Sequence, residues 1–207
     1  MATRTPNKTN SVEVLAHQSV VHPTTIVGSA ISAVTKCAVM LFLYHGYVEA
    51  AADTNPGKFL VQIRPDPGGG SVNEHWATVV ELVTKGTTPD TEALSGTEAI
   101  GATVLEVAST TGFAVEDELY IQDTGTLADS EWAKCRTFAT NASITLIDGL
   151  TVAKDSADVI WNDASKFVIP LSLEASESFR VVWTHEGAAG ANGHIKGIAI
   201  TYDSDAI

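Results

Sequence analysis

Cysteine is nearly missing from this sequence, and that shortage excludes two classes of protein. Among 207 residues only Cys37 and Cys135 occur. They lie far apart with no Cys-x-x-Cys or Cys/His spacing, so neither a disulfide framework nor a thiolate metal site is expected. Each sits in an apolar or mixed stretch, where a small buried hydrophobe is the plainer reading than a reactive thiol. Basic charge is also short. Twelve Lys and Arg face 25 Asp and Glu, for a net charge of −13, which opposes binding of a phosphate backbone, and no nucleic-acid partner is expected. Long apolar runs are missing too. The most apolar, "CAVMLFLY" at 37–44, is about eight residues long, where a bilayer-spanning helix needs about twenty. The first residues lack the charged-then-apolar pattern of a signal peptide. The expectation is a protein made in the cytosol with no membrane partner.

Helical pattern is equally scarce. "AISAVTK" near Ile31 could form at most one helical turn, and Ser and Val weaken even that. What remains is β. "CAVMLFLYHGYVEA" is rich in large apolar and aromatic residues, and "AADTNPGKF" after it carries Asn-Pro-Gly turn chemistry. "KFLVQIRP" alternates Phe59, Val61 and Ile63 on one face and stops at the Pro- and Gly-rich "RPDPGGGS", giving a hairpin or a sheet-crossing pair. "HWATVVELVTKG" has helical spacing at Trp76, Val79, Val80 and Val83, but its Val/Thr/Trp content and length favour a strand. The start, "MATRTPNKTN", is polar, holds Arg4 and Lys8 and no acid, and reads as a flexible arm over residues 1–20.

Residues 84–101, "TKGTTPDTEALSGTEAIG", are polar and punctuated by Gly and Pro, and read as a connector with no core of its own. Short strands then follow at close spacing: "ATVLEVAS", "ELYIQD", "EWAKCRTFAT", "SITLIDGL" and "DVIWND". This is the pattern of a small barrel or meander, with Val104, Leu105, Val107, Leu119, Ile121, Phe138, Ile144, Leu146 and Ile160 as its core. "KFVIPLS", "SFRVVWTHE" and "HIKGIAITYD" are apolar strands like those before residue 84, with "GAAGANG" as a loose hairpin loop. Three strands are few for a separate sandwich, so they complete the first one. The expected fold is all-β: a discontinuous β-sandwich, jelly-roll or immunoglobulin-like, over residues 21–96 and 163–207, with a small β domain inserted at 97–162. Insertion in a loop is cheap when the loop ends lie close together.

Candidate chemistry thins out under inspection. His185, Glu186 and His194 in "THEGAAGANGH" lack the one-turn helical spacing of a zinc protease and read as surface histidines at strand ends, with weak metal binding as the alternative. "PDPGGGS" lacks the Lys-Ser/Thr and the following helix of a phosphate loop. No serine lies in a Gly-x-Ser-x-Gly elbow. Glu116, Asp117 and Glu118 cluster, as do Asp155 and Asp158, but not at EF-hand spacing, and no pair stands out for glycoside hydrolysis. No catalytic, cofactor-binding or metal-binding residue is therefore assigned, and no cofactor is expected. Of the four tryptophans, Trp76 and Trp183 adjoin valines and read as core or interface, while Trp132 and Trp161 are the candidates for stacking on a glycan.

The stretch "ATVLEVASTTGFAVEDELYIQD", followed by "EWAKCRTFATNASITLIDGLTVAKDSADVI", resembles a small β module recurrent in structural proteins of tailed bacteriophages. The matching positions are Val107, Gly112, Phe113, Asp117, Ile121, Arg136, Ile144, Leu146, Leu150 and Ala153. The family often has glycine just before the aspartate of the turn, where this chain has Glu116. The flanking "FVIPLSLEASESFRVVW" and "GIAITYD" look similar to the shells of head decoration, cement and tail proteins. The resemblance implies a non-enzymatic virion structural protein, first a capsid decoration or cement protein that forms a homo-oligomer, expected to be a trimer, and binds the major capsid or other virion proteins. A tail or neck component, or a glycan-binding host-adhesion protein, is the alternative.

Overall fold

Alternation of side chains decides which way each strand faces, and two long strands show it directly. The strand Lys36–Tyr47 turns Val39, Leu41, Leu43 and His45 into the core, all at most 1% exposed, and leaves Met40, Phe42 and Tyr44 half-buried on its other face. The strand Lys58–Arg64 buries Phe59 and Val61 in the same way. The computed structural model describes residues 7–21, 24–47, 57–64, 76–85, 89–173, 176–185 and 192–203. In chain order their strands are β1 (Asn7–Val21), β2 (Thr24–Val27), β3 (Ile31–Ser32), β4 (Lys36–Tyr47), β5 (Lys58–Arg64), β6 (Ala77–Val83), β7 (Thr91–Ala93), β8 (Val104–Glu106), β9 (Glu118–Gln122), β10 (Glu131–Ala139), β11 (Ser143–Leu146), β12 (Val159–Trp161), β13 (Ser165–Ser172), β14 (Ser178–His185) and β15 (Asn192–Asp203). Among the described residues no helix is long and apolar enough to cross a membrane.

The fold is all-β. A four-stranded sheet in the order β1-β15-β4-β13 packs on a five-stranded sheet in the order β2-β14-β5-β6, with β3 beside β14. Every pair is antiparallel, and the pairs nest: β5 with β6, β4 with β13, β2 with β14, β1 with β15. This is the winding of a jelly roll, which decides between the two sandwich types expected. The core between the sheets holds Leu41, Leu43, Phe59, Val61, Phe179, Val181, Trp183 and Ile195. β4 and β5 lie in different sheets, so they form the sheet-crossing pair rather than a hairpin.

The third sheet has six strands, β7-β12-β9-β10-β11-β8, all drawn from between β6 and β13. It curls until its edges meet, where Leu94 bridges Val107. Its separate core contains Leu105, Val107, Leu119, Ile121, Ile144, Leu146 and Ile160 as expected, and adds Leu94, Phe113, Cys135 and Leu150. Val104 instead is 45% exposed. The two ends of this stretch lie together: Ser165 Oγ accepts from the Lys85 amide at 3.3 Å, and Lys85 Nζ pairs with Asp163 at 2.9 Å.

Four expectations need correction. Residues 7–21, assigned to a flexible arm spanning 1–20, are β1, paired with β15 from Asn7↔Asp203 to Val21↔Asn192, because Val14, Leu15 and Val20 bury in the core; residues 1–6 lie outside the described residues. "AISAVTK" is not helical but β3 and a turn, with Thr35 at φ 73°. The connector over 84–101 has a core role from Thr91 on, since β7 joins the six-stranded sheet and Leu94 is 3% exposed. β14 and β15 belong to different sheets, so they are not the two strands of a hairpin; residues 186–191, with Gly187 and Gly190 of "GAAGANG", lie outside the described residues, as does "PDPGGGS".

Glu116 occupies the left-handed region at φ 71°. The turn thus keeps a conformation that suits glycine, and its carboxylate pairs with Lys134 at 2.6 Å on an exposed surface. Glu116→Gly relieves backbone strain of about 1 kcal/mol but loosens the unfolded chain by a similar amount, so urea denaturation should show a change below about 1 kcal/mol. Glu116→Val, β-branched at positive φ, should lose about 1–3 kcal/mol in the same measurement.

Candidate interaction site at the junction of the sheets

β9 reads "ELYIQ", and alternation sends Leu119 and Ile121 into the six-stranded core while Tyr120 points the other way. That direction should be solvent, yet Tyr120 is fully buried. It lies against Gly46 of β4, where an added Cβ would meet the Tyr120 ring carbon Cγ at 2.5 Å. Its hydroxyl reaches His194 Nδ1 at 2.6 Å and His17 Nε2 at 3.3 Å. A neutral phenol has one proton to give, so it donates to one imidazole and accepts from the other. Trp132 of β10 closes the cluster, with ring centroids 4.6 Å from Tyr120, 5.1 Å from His17 and 5.3 Å from Tyr44. The six-stranded sheet is therefore fastened by aromatic and imidazole contacts to one end of the outer face of the four-stranded sheet.

Burial sets the charge state of this cluster. Desolvation, with help from Lys196 and then His194, lowers the His17 pKa from 6.5 to about 4. Desolvation lowers that of His194 to about 4 as well. Burial pushes the Tyr120 phenol above its ordinary value. Tyr44 and Glu118, half-buried nearby, are also raised by desolvation, Tyr44 further by the Glu118 charge. All three partners of the Tyr120 bridge are thus neutral at pH 7.

The structure separates the histidines that sequence spacing put together. His185 is 2% exposed and stacks on Trp183 at 6.5 Å, whereas His194 is 6% exposed and faces Tyr120. Neither is the surface histidine expected, because β14 and β15 bury their ends under other sheets; Glu186 lies outside the described residues. Among the described residues no group of three His, Cys, Asp or Glu is placed to hold a metal. The clustered carboxylates cap backbone amides. Asp117 Oδ2 accepts from Ala114 N at 2.7 Å, Asp158 Oδ1 from Thr124 N at 2.9 Å, and Asp155 Oδ1 from Ala157 N at 2.8 Å. Both cysteines are free thiols, and burial raises the Cys135 pKa, as for an inert core residue.

The tryptophans divide by environment. Trp183 is fully buried and stacks on His45 at 4.7 Å. Trp76 is half-buried under Arg180 at 4.3 Å. Trp161 donates its indole N–H to Gln122 Oε1 at 3.1 Å. Trp132 lines a cleft, of about 210 Å³, between the six-stranded sheet and the outer face of the four-stranded one. Sequence pattern pointed to Trp132 but not to Tyr120, His17 or Gly46. The single available signal was an aromatic at the outward position of a barrel strand.

Beyond that cleft the outer face of the four-stranded sheet is open and apolar. Phe42 stands in register with Val168 and Ile198, and Met40 with Pro170 and Ile200. Val168 is 48% exposed, Pro170 is exposed and the other four are half-buried.

No protein-family model matches this chain, and no curated protein matches it. Among solved structures it is similar to the infectious bursal disease virus Gx strain structure, at 10% identity and a TM-score of 0.26, covering 99% of this chain and 43% of that one. It is also similar to VP17, a capsid protein of bacteriophage P23-77, at 9% identity and a TM-score of 0.17, covering 97% and 100%. The chain spans less than half the length of the bursal disease virus chain. Likenesses this distant carry no weight for function.

The two histidines give the junction a pH dependence of fixed sign. Their folded pKa values lie below the unfolded value of 6.5, so the unfolded chain binds more protons between pH 6.5 and about 4. Stability should be flat on this account above pH 6.5 and fall below it by roughly 1 kcal/mol per pH unit for each histidine. Denaturant titrations of wild type and His17→Gln/His194→Gln should differ in slope over that window; identical slopes would show that the pair does not contribute. Tyr120→Phe leaves His194 Nδ1 buried without its partner and should cost about 1–3 kcal/mol.

Proposed function

We propose that this protein is a non-enzymatic virion structural protein, a capsid decoration or cement protein that works through surface contact. The observation that carries the reading is the open apolar array on the four-stranded sheet: Met40, Phe42, Val168, Pro170, Ile198 and Ile200 in two cross-strand rows. Contiguous apolar surface of this kind marks an interaction site, and its edges are polar, with Lys166 and Ser172 at the ends of β13 and Ser11 and Glu13 on β1. Copies of the chain would bury this array against one another as a homo-oligomer, expected to be a trimer, and the assembled unit would hold the head shell at several points. Multivalent attachment turns weak single contacts into avidity.

The sequence resemblance of residues 102–160 to a phage virion module supports the same reading, as does the placement of the carboxylates on backbone amides rather than at a reactive centre. In this reading the six-stranded sheet is a module inserted into one loop of the jelly roll, with its boundary near Thr91 rather than residue 97. A jelly roll by itself names no activity.

Fractionated mature particles should contain the protein on the head, and light scattering of the recombinant chain should give a mass several times that of the monomer. Absence from particles would refute the reading. Phe42→Asp should convert the oligomer to monomer while the thermal midpoint of the isolated fold changes little, because Phe42 is on the face that the sandwich core does not use.

A further inference from the structure

The cleft beside the junction carries two lysines, Lys166 and Lys196, that the packing of the sheets does not use. Across the sheet Tyr44 is paired with Lys166 of β13 on one side and with Lys196 of β15 on the other. Three side chains therefore stand in one row at the rim of the cleft. Lys166 Nζ lies 5.8 Å from the centre of the Tyr44 ring. Neither lysine makes an ion pair among the described residues, in a chain with net charge −13. Their backbones are two interstrand spacings apart, about 10 Å, so two flexible four-carbon side chains can close on one anion.

The rest of the lining narrows the class of anion. Trp132 and Tyr44, with rings 5.3 Å apart and tilted by 42°, form an aromatic wall. Asp129 and Thr151 face the same space, whose 210 Å³ has room for one pyranose ring. A carboxylate suits the lysines, but the Asp129 carboxylate repels a second negative group and instead accepts hydrogen bonds from hydroxyls. An acidic peptide would satisfy the lysines and leave Asp129 opposed. A sugar carrying one carboxylate satisfies both, and its C–H face packs on aromatic rings.

We propose that this cleft binds an acidic sugar residue of the uronic or sialic acid type, with the carboxylate held by Lys166 and Lys196, hydroxyls donating to Asp129, and the ring against Trp132 and Tyr44. The site does not rest on whether the protein belongs to a virion: of the apolar array only Ile198 borders the cleft, and the groups assigned to the ligand lie outside that array.

Calorimetric titration of the full chain with glucuronate, N-acetylneuraminate, glucose and a short Asp-containing peptide tests it. Saturable binding of either acidic sugar is expected, about tenfold or more tighter than glucose or the peptide, weakened about tenfold by Lys166→Met or Lys196→Met and unchanged by Lys58→Met on the opposite sheet. Glucose binding as tightly as the acids, a peptide binding more tightly, indifference to both cleft lysines, or no saturable binding of either acid up to about 50 mM would each overturn the proposal. Tryptophan fluorescence gives a second readout: a ligand-dependent change should vanish in Trp132→Phe and persist in Trp161→Phe, and the reverse pattern would place the ligand elsewhere and overturn the assignment.

Discussion

Each long strand of the sandwich takes its partner from the mirrored position in the chain, β1 with β15, β2 with β14, β4 with β13, and β5 with its neighbour β6. This nesting is the constraint on which the rest depends. A nested antiparallel roll fixes which loop ends lie together, and the chain leaves it after β6 and re-enters at β13 within one residue cluster, Lys85 with Asp163 and Ser165. Loop closure is therefore already provided by the sandwich, and a whole six-stranded sheet can be carried there at little entropic cost. Asn162 strengthens the same neck. Its Oδ1 accepts from Asp90 N at 2.7 Å, and its Nδ2 donates to Gly112 O at 2.7 Å.

A neck alone would leave the six-stranded sheet free to swing. Tyr120 removes that freedom by laying its ring on the backbone of β4, which only a glycine at position 46 permits. The buried phenol then needs partners, and β1 and β15 supply them as His17 and His194. One contact thus couples the first strand, the last strand and the third sheet. It also divides the outer face of the four-stranded sheet into a covered end, a cleft with two lysines at its rim and an open apolar array.

Polar groups inside the molecule serve its architecture. Lys154 is 1% exposed, and its ammonium is held by the Asp129 carbonyl and lies 3.4 Å from Glu131, whose other oxygen accepts from the Thr151 amide and hydroxyl. Lys36 pairs with Asp203 at the far end of the sheet. Glu131 and Lys154 are thus committed to a carbonyl, an amide, a hydroxyl and each other, and they hold the third sheet together rather than meet a partner.

Strand identity was legible in the sequence because period-2 alternation and Gly, Pro and Asn punctuation are local properties: β4, β5, β6, β13, β14 and β15 fall where "CAVMLFLY", "KFLVQIR", "ATVVELV", "KFVIPLS", "SFRVVWTH" and "HIKGIAITYD" place them. The core of the third sheet was legible for the same reason. β1 was not, because its opening is polar and its support comes from β15 at the other end of the chain. Nor were the burial of Tyr120, the separation of His185 from His194, or the meeting of Lys166, Tyr44 and Lys196 in one row. The sequence by itself determined an all-β chain with two apolar cores and scarce helix, since backbone preference and side-chain alternation act over a few residues. Only the tertiary structure decided the jelly-roll winding, the junction and the cleft, since each depends on which strands become neighbours, and that is settled by pairing across the length of the chain.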